Sequence, residues 1–114
     1  MTDCLFCKIV TGDVPAMIVL EAERTIAFRD INPQAPTHVL VIPREHHATA
    51  AALAAADADL LAEVIRSAHQ VAEAEGVAGS GYRVVFNTGA EAGQTVFHVH
   101  AHVLGGRGLN WPPG

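Results

Sequence analysis

Basic residues are scarce: Lys and Arg number 7 against 12 Asp and Glu, the formal net charge is −5, and no basic run occurs. Tracking a nucleic-acid backbone takes many cationic contacts, so the composition argues against a nucleic-acid partner. A single nucleotide, held by backbone amides, stays open. No apolar run approaches the ~18 residues needed to cross a bilayer, so no membrane partner is expected. The start Met1-Thr2-Asp3-Cys4 lacks a charged segment leading into an apolar one, the mark of a secretory leader. Two cysteines are too few for a secreted disulfide framework. These absences together place the expected location in the cytoplasm. No GxxxxGK[ST] motif is present either, which removes a P-loop.

What is there is apolar enough to fold. Half of the residues are hydrophobic, and 114 residues fit one domain, 1–114, with an ordinary core. Residues 4–9 read as a turn or two of helix, closed by Gly12-Asp13 and Pro15. Met17–Glu21 and Thr25–Arg29 read as strands around a hairpin turn, and His38–Ile42 as a third strand stopped by Pro43. Between them, Asp30–Pro36 carries two prolines and must be an ordered loop. The alanine-rich stretch from Ala48 reads as the approach to a helix with Asp57 as its N-cap. Leu60, Leu61, Val64, Ile65, Ala68, Val71 and Ala72 keep helical spacing, and Gly76 is the natural stop. Tyr82–Asn87 and Thr95–Leu104 complete the expected strands, with the glycine-bearing loop Thr88–Gln94 between them. The fold class is therefore α+β: an antiparallel sheet of about five strands with one long helix on a face.

The chemistry is concentrated in His98-Val99-His100-Ala101-His102-Val103. On a strand, side chains alternate, so the three imidazoles share one face and Val99, Ala101 and Val103 the other. A neutral imidazole is a good nucleophile toward phosphorus near neutral pH. The central His100 is the natural nucleophile, with His98 and His102 beside it to hold protons and bind oxygens. Asn87, Gln94, the Thr95 hydroxyl and loop glycine amides are candidate donors to phosphate oxygens. Imidazoles at i and i+2 of a strand also suit zinc, so a zinc hydrolase built on this segment stays open. Cys4 and Cys7 have ligand spacing but no second CxxC, and would need His46, His47 or the histidine strand to complete a site. His38 opens a strand after an ordered loop, and His69 reads as solvated.

The segment His98–Arg107 resembles the histidine-triad (HIT) proteins. So do Ala27–His38, Val41-Ile42-Pro43, Gly93–Phe97 and the ending Trp111-Pro112-Pro113-Gly114, and together they point to the Hint branch, the purine nucleoside phosphoramidases. The resemblance implies a homodimer whose two sheets join, with a purine nucleoside monophosphate at each site. It implies that His100 is nucleotidylated, that His102 and His98 complete the triad, and that His38 orients the nucleophile from behind. Asp30 would hold the ribose. Phe6, Ile9, Phe28 and Ile31 would line the base pocket, and Asn87, Gly93, Gln94 and Thr95 would meet the phosphate. The tail would carry Trp111 across the dimer, near the leaving group. No cofactor would be needed for catalysis, while Cys4, Cys7, His46 and His98 would hold a structural zinc.

The function expected is hydrolysis of nucleoside 5′-phosphoramidates and related acyl- or aminoacyl-adenylates, releasing AMP or GMP. Rival readings are a dinucleoside polyphosphate hydrolase, a non-catalytic nucleotide-binding module, and the zinc hydrolase above. Ala101, Arg29 and Thr95 depart from residues common in the family; Thr95 keeps the hydroxyl of the serine often found there.

Overall fold

The computed structural model describes residues 3–114; Met1 and Thr2, part of the stretch on which the expectation about a leader rests, lie outside the described residues. Five antiparallel strands form one open sheet in the order β1-β2-β3-β5-β4. They are β1 (Ile18–Glu21), β2 (Thr25–Arg29), β3 (Thr37–Pro43), β4 (Tyr82–Val85) and β5 (Ala101–Gly105). Helix α1 spans Leu5–Thr11, α2 Ala50–Ala56 and α3 Ala58–Ala74. No helix among the described residues is long and apolar enough to cross a membrane.

The period-2 pattern of β3 and β5 divides the molecule into two apolar layers. Val39, Val41, Ala101 and Val103 are fully buried with Ala27 against Leu60, Val64, Ala68 and Val71 of α3. Each Leu- or Val-sized side chain buried this completely stabilises the fold by roughly 1.5–3 kcal/mol. Leu40 and Ile42, one residue out of phase, pack on the opposite face with Ile26, Phe28, and Phe6 and Ile9 of α1. The histidines share this second face.

Asp57 caps α3 as its position predicts, accepting from the Leu60 amide at 3.1 Å. At the far end Gly76 takes φ +78, and the amides of Gly76 and Val77 reach back to the carbonyls of Glu73 and Ala72. That pairing satisfies carbonyls a helix end leaves open, and a side chain at Gly76 would strain it. Arg24, in the β1–β2 turn, reaches Asp57 at 2.7 Å and Glu63 at 3.5 Å, tying the hairpin to the helix.

Three element expectations need correction. The alanine-rich approach is a helix of its own, α2, capped by the Thr49 hydroxyl and separated from α3 at Asp57. The fourth strand ends at Val85 rather than Asn87. The fifth begins at Ala101 rather than Thr95. The reason lies in the partners: the β3 ladder ends at Val41 opposite Ala101, and the β4 ladder at Val85 opposite His102. With no ladder partner, residues 98 and 99 bond instead to the last residue of β3 and to the connection after it. The Val99 amide takes the His47 carbonyl at 2.7 Å, and His98 Nε2 lies 2.8 Å from the Pro43 carbonyl. The alternation survives the loss of the ladder, and Val99 still joins the α3 core.

Candidate active site

A cleft of about 700 Å³ opens on the histidine face. Phe6 and Ile9 of α1, Phe28 of β2 and Leu40 of β3 give it apolar walls, and Asp30 and Ile31 stand at the start of the loop after β2. Gly93 and Thr95 close another side, and His100 and His102 are the imidazoles that line it. The Phe6 ring meets His100 edge-on, with centroids 5.0 Å apart and planes at 86°.

Backbone partners fix which nitrogen of each histidine carries the proton, because a carbonyl only accepts and an amide only donates. His100 Nδ1 lies 2.8 Å from the His98 carbonyl, so Nδ1 holds the proton and Nε2 keeps its lone pair. His98 donates from Nε2 to the Pro43 carbonyl, leaving Nδ1 bare. His38 Nδ1 accepts from the Gln34 amide at 3.0 Å, so its proton is on Nε2. That Nε2 stands 2.9 Å from His102 Nδ1 and 3.4 Å from Asp30 Oδ2. His102 therefore accepts at Nδ1 and carries its own proton on Nε2. Burial pushes all four imidazoles below the usual histidine range, with His98 and His102 lowered to about 4. His46 and His100 add to the lowering at His98, and His100 and His38 at His102.

The other side of His98 faces a second group. Cys4, Cys7, His46 and His98 each offer one ligand atom, all within 4.8 Å of one another. His98 Nδ1 lies 3.5 Å from Cys4 Sγ and 3.6 Å from Cys7 Sγ, and His46 Nδ1 lies 3.4 Å from Cys7 Sγ. A tetrahedral zinc with Zn–S near 2.3 Å and Zn–N near 2.05 Å has S···N edges of roughly 3.6 Å. The donor set and its spacing fit zinc. So does the protonation of His98, whose bare nitrogen is the one aimed at the sulfurs. Burial and the adjoining Cys4 sulfur push the Cys7 thiol up, a cost that a cation between the sulfurs reverses.

Asp30, His38 and His102 also lie close enough to hold an ion. There the Gln34 amide already occupies His38 Nδ1, so His38 would have to surrender its Nε2 proton and become an imidazolate to bind metal. This trio is built for protons instead.

Most of the residues expected at the site meet at this cleft, but several do not act as the sequence implies. His38 contacts His102, not the central His100; the support behind His100 is the His98 carbonyl. The three triad imidazoles do not converge on one point, so they cannot serve together as a zinc ligand set. Gln94 is buried with its side chain fully engaged by the Gly89 amide and the Ala48 and Val96 carbonyls. It shapes the loop rather than offering its amide to phosphate. Asn87 and Trp111 do not line the cleft, and Trp111 is 82 % exposed. Sequence reasoning missed Val14, Pro15, Ala16 and Met17, which extend the apolar wall. Their signal was a short, proline-broken apolar run, of which the sequence reading puts Met17 in the first strand, observed to begin only at Ile18. It also missed the Gln34 amide, for which a side-chain pattern gives no sign.

The cleft's imidazoles thus present one lone pair, on His100, and one proton, on His102. The family model described as HIT domain matches residues 11–109, and the chain belongs to the HIT family. Among relatives, the 14 kDa zinc-binding protein of Zea mays is 45% identical over 112 residues, covering 96% of this chain and 87% of that one. Adenylylsulfatase HINT1 of Arabidopsis thaliana is 40% identical, covering 96% of this chain and 76% of that one. Among solved structures, a HIT family hydrolase from Legionella pneumophila Philadelphia 1 is 51% identical with a TM-score of 0.94. That match covers 98% of this chain and all of the other.

Proposed function

We propose that the chain hydrolyses nucleoside 5′-phosphoramidates and related acyl- or aminoacyl-adenylates, releasing AMP or GMP through a nucleotidyl-His100 intermediate. One observation carries the reading: the His98 carbonyl holds the Nδ1 proton of His100, so the nitrogen left for the cleft is a lone pair. In the first step His100 Nε2 attacks phosphorus and the P–N bond to the amine breaks. The departing nitrogen takes a proton from His102. The substrate's anionic phosphate and Asp30 favour the imidazolium that burial alone disfavours; as His102 Nδ1 gains its proton, the Nε2–H of His38 turns to Asp30 Oδ2, 3.4 Å away. In the second step water attacks phosphorus, its proton passes to His102, and the bond to His100 breaks to free the nucleotide. Asp30 would hold the ribose, Gly93 and Thr95 the phosphate, and Phe6, Ile9, Phe28 and Ile31 the purine.

The Cys4, Cys7, His46 and His98 group would hold zinc as a cross-link between α1, the loop after β3 and the triad. Bound there, zinc supplies structural stability and leaves His100 and His102 free. A homodimer is supported by β4, an edge strand paired only with β5, and by a tail that leaves Trp111 outside its own cleft. The reading is tested by incubating the protein with adenosine 5′-phosphoramidate, quenching early, and mapping an AMP adduct by peptide mass spectrometry. An adduct on His100 with AMP release supports it. AMP binding without turnover would instead favour a non-catalytic nucleotide-binding module, and a preference for diadenosine polyphosphates would favour that class of hydrolase.

A further inference from the structure

The turn after β5 has no part in the chemistry above, yet Gly106 and Arg107 both press on the loop that leads into His38. Gly106 has φ +88, and a Cβ there would stand 2.9 Å from the Pro36 Cβ, so only glycine lets the turn and the loop approach this closely. Arg107 donates from Nε to the Gln34 carbonyl at 3.1 Å and from Nη1 to the Gly108 carbonyl at 2.8 Å. The hydrogen bonds at Asn32 and Gln34 otherwise close the loop on itself. The Asn32 amide takes Asp30 Oδ1 at 2.8 Å, and Gln34 Nε2 takes the Asn32 carbonyl at 3.0 Å. Gln34 is thus held at its carbonyl by Arg107 while its amide donates to His38 Nδ1 at 3.0 Å.

A neutral imidazole has two tautomers, and little separates them unless a partner chooses. If His38 moved its proton to Nδ1, two donors would face each other across 3.0 Å beside a buried ring. The Gln34 amide forbids this only while the loop stays in place. His38 in turn hands its Nε2 proton toward His102 Nδ1, and that keeps the remaining proton of His102 on the side of the cleft.

We propose that Gly106 and Arg107 clamp the Gln34 loop. Arg107 is then a positioning residue that, through Gln34, sets the tautomer of His38 and the direction of the His102 proton. The catalytic half of this inference rests on His102 as proton donor; the tautomer half stands without it. Arg107 is exposed, so its removal should loosen the loop and leave the fold intact.

The test compares Arg107→Ala, Arg107→Lys and Arg44→Ala in the full chain. Arg44 makes a like bond, Nε to the Ala22 carbonyl at 3.0 Å, on another loop, and controls for the general loss of an exposed arginine. Imidazole ¹⁵N shifts report the tautomers of His38 and His102, and steady-state kinetics with adenosine 5′-phosphoramidate report turnover. Arg107→Ala should mix the two His38 tautomers and lower kcat about tenfold, part of what proton transfer contributes, with KM within about twofold. Arg107→Lys, which still donates to Gln34, should restore both readouts, and Arg44→Ala should match wild type. A pure Nε2–H tautomer of His38 in folded Arg107→Ala overturns the proposal, as does mixing without a fall in kcat. If wild type turns over no phosphoramidate, the proposed function fails, and the ¹⁵N measurement still decides the clamp.

Discussion

The carbonyl of His98 and the ring of His100 are bonded to each other at 2.8 Å, a link between residues two apart on one stretch of chain. It holds the His100 ring and its proton without borrowing a side chain from elsewhere. His100→Ala therefore removes the nucleophile and disturbs little else, since Val99 and Ala101 keep their places in the core. Turnover should fall at least about 100-fold, with the melting temperature near wild type and AMP still bound in calorimetry. Retained turnover above a few per cent would refute the nucleophile assignment.

Zinc should be structural. Treating the protein with a strong chelator should lower its melting temperature, because metal bound only to the native state adds to stability. Cys4→Ser should reduce zinc content by elemental analysis and the melting temperature together. Protein expressed with added zinc that contains no metal would count against the site.

Stability should fall as the pH is lowered. His102 stays neutral in the fold down to about 4, while a histidine of the unfolded chain titrates near 6.5. Between those values the unfolded chain binds the proton and the folded one does not, so acid favours unfolding. One such group gives a slope of up to about 1.4 kcal/mol per pH unit. His38, lowered by burial, acts in the same direction. Urea midpoints between pH 7.5 and 4.5 should drop more steeply for wild type than for His102→Asn; parallel curves would remove His102 from the account.

The tail should tune the choice of leaving group. Trp111 precedes two prolines, is 82 % exposed and lines no part of its own cleft. An indole left this open buries apolar area only against another surface. Deleting residues 110–114 should reorder kcat/KM between aminoacyl and simple amine substrates while His100 is still nucleotidylated. Unchanged values for every substrate would show that Trp111 has no such part.

The sheet and its two faces were legible because histidines at 98, 100 and 102 alternate with the small apolar Val99, Ala101 and Val103, and Asp57 and Gly76 marked the ends of the long helix. The length of the fifth strand was not legible. Whether a segment counts as a strand depends on a neighbour to bond, and the β3 ladder that limits β5 ends at Val41, more than fifty residues away in the chain. The triad was visible as residues, its wiring was not. His38 reaches His102 because of the register between β3 and β5, which places His38 opposite Leu104 and Leu40 opposite His102. The roles of Gln34 and His98 are carried by their backbone amide and carbonyl, and a sequence of side chains does not display those.

The alternation along 98–103 also sets how this segment tolerates length changes. Insert or delete one residue between Phe97 and His102, and the parity of part of the segment is reversed: imidazoles turn toward α3 and valines toward the cleft. Substitutions of similar size on the α3 side leave the histidines untouched, but no single-residue indel there does. Residues 88–92, outside any ladder, carry no such parity. Natural or engineered length variation should collect in that loop and be missing from the histidine segment.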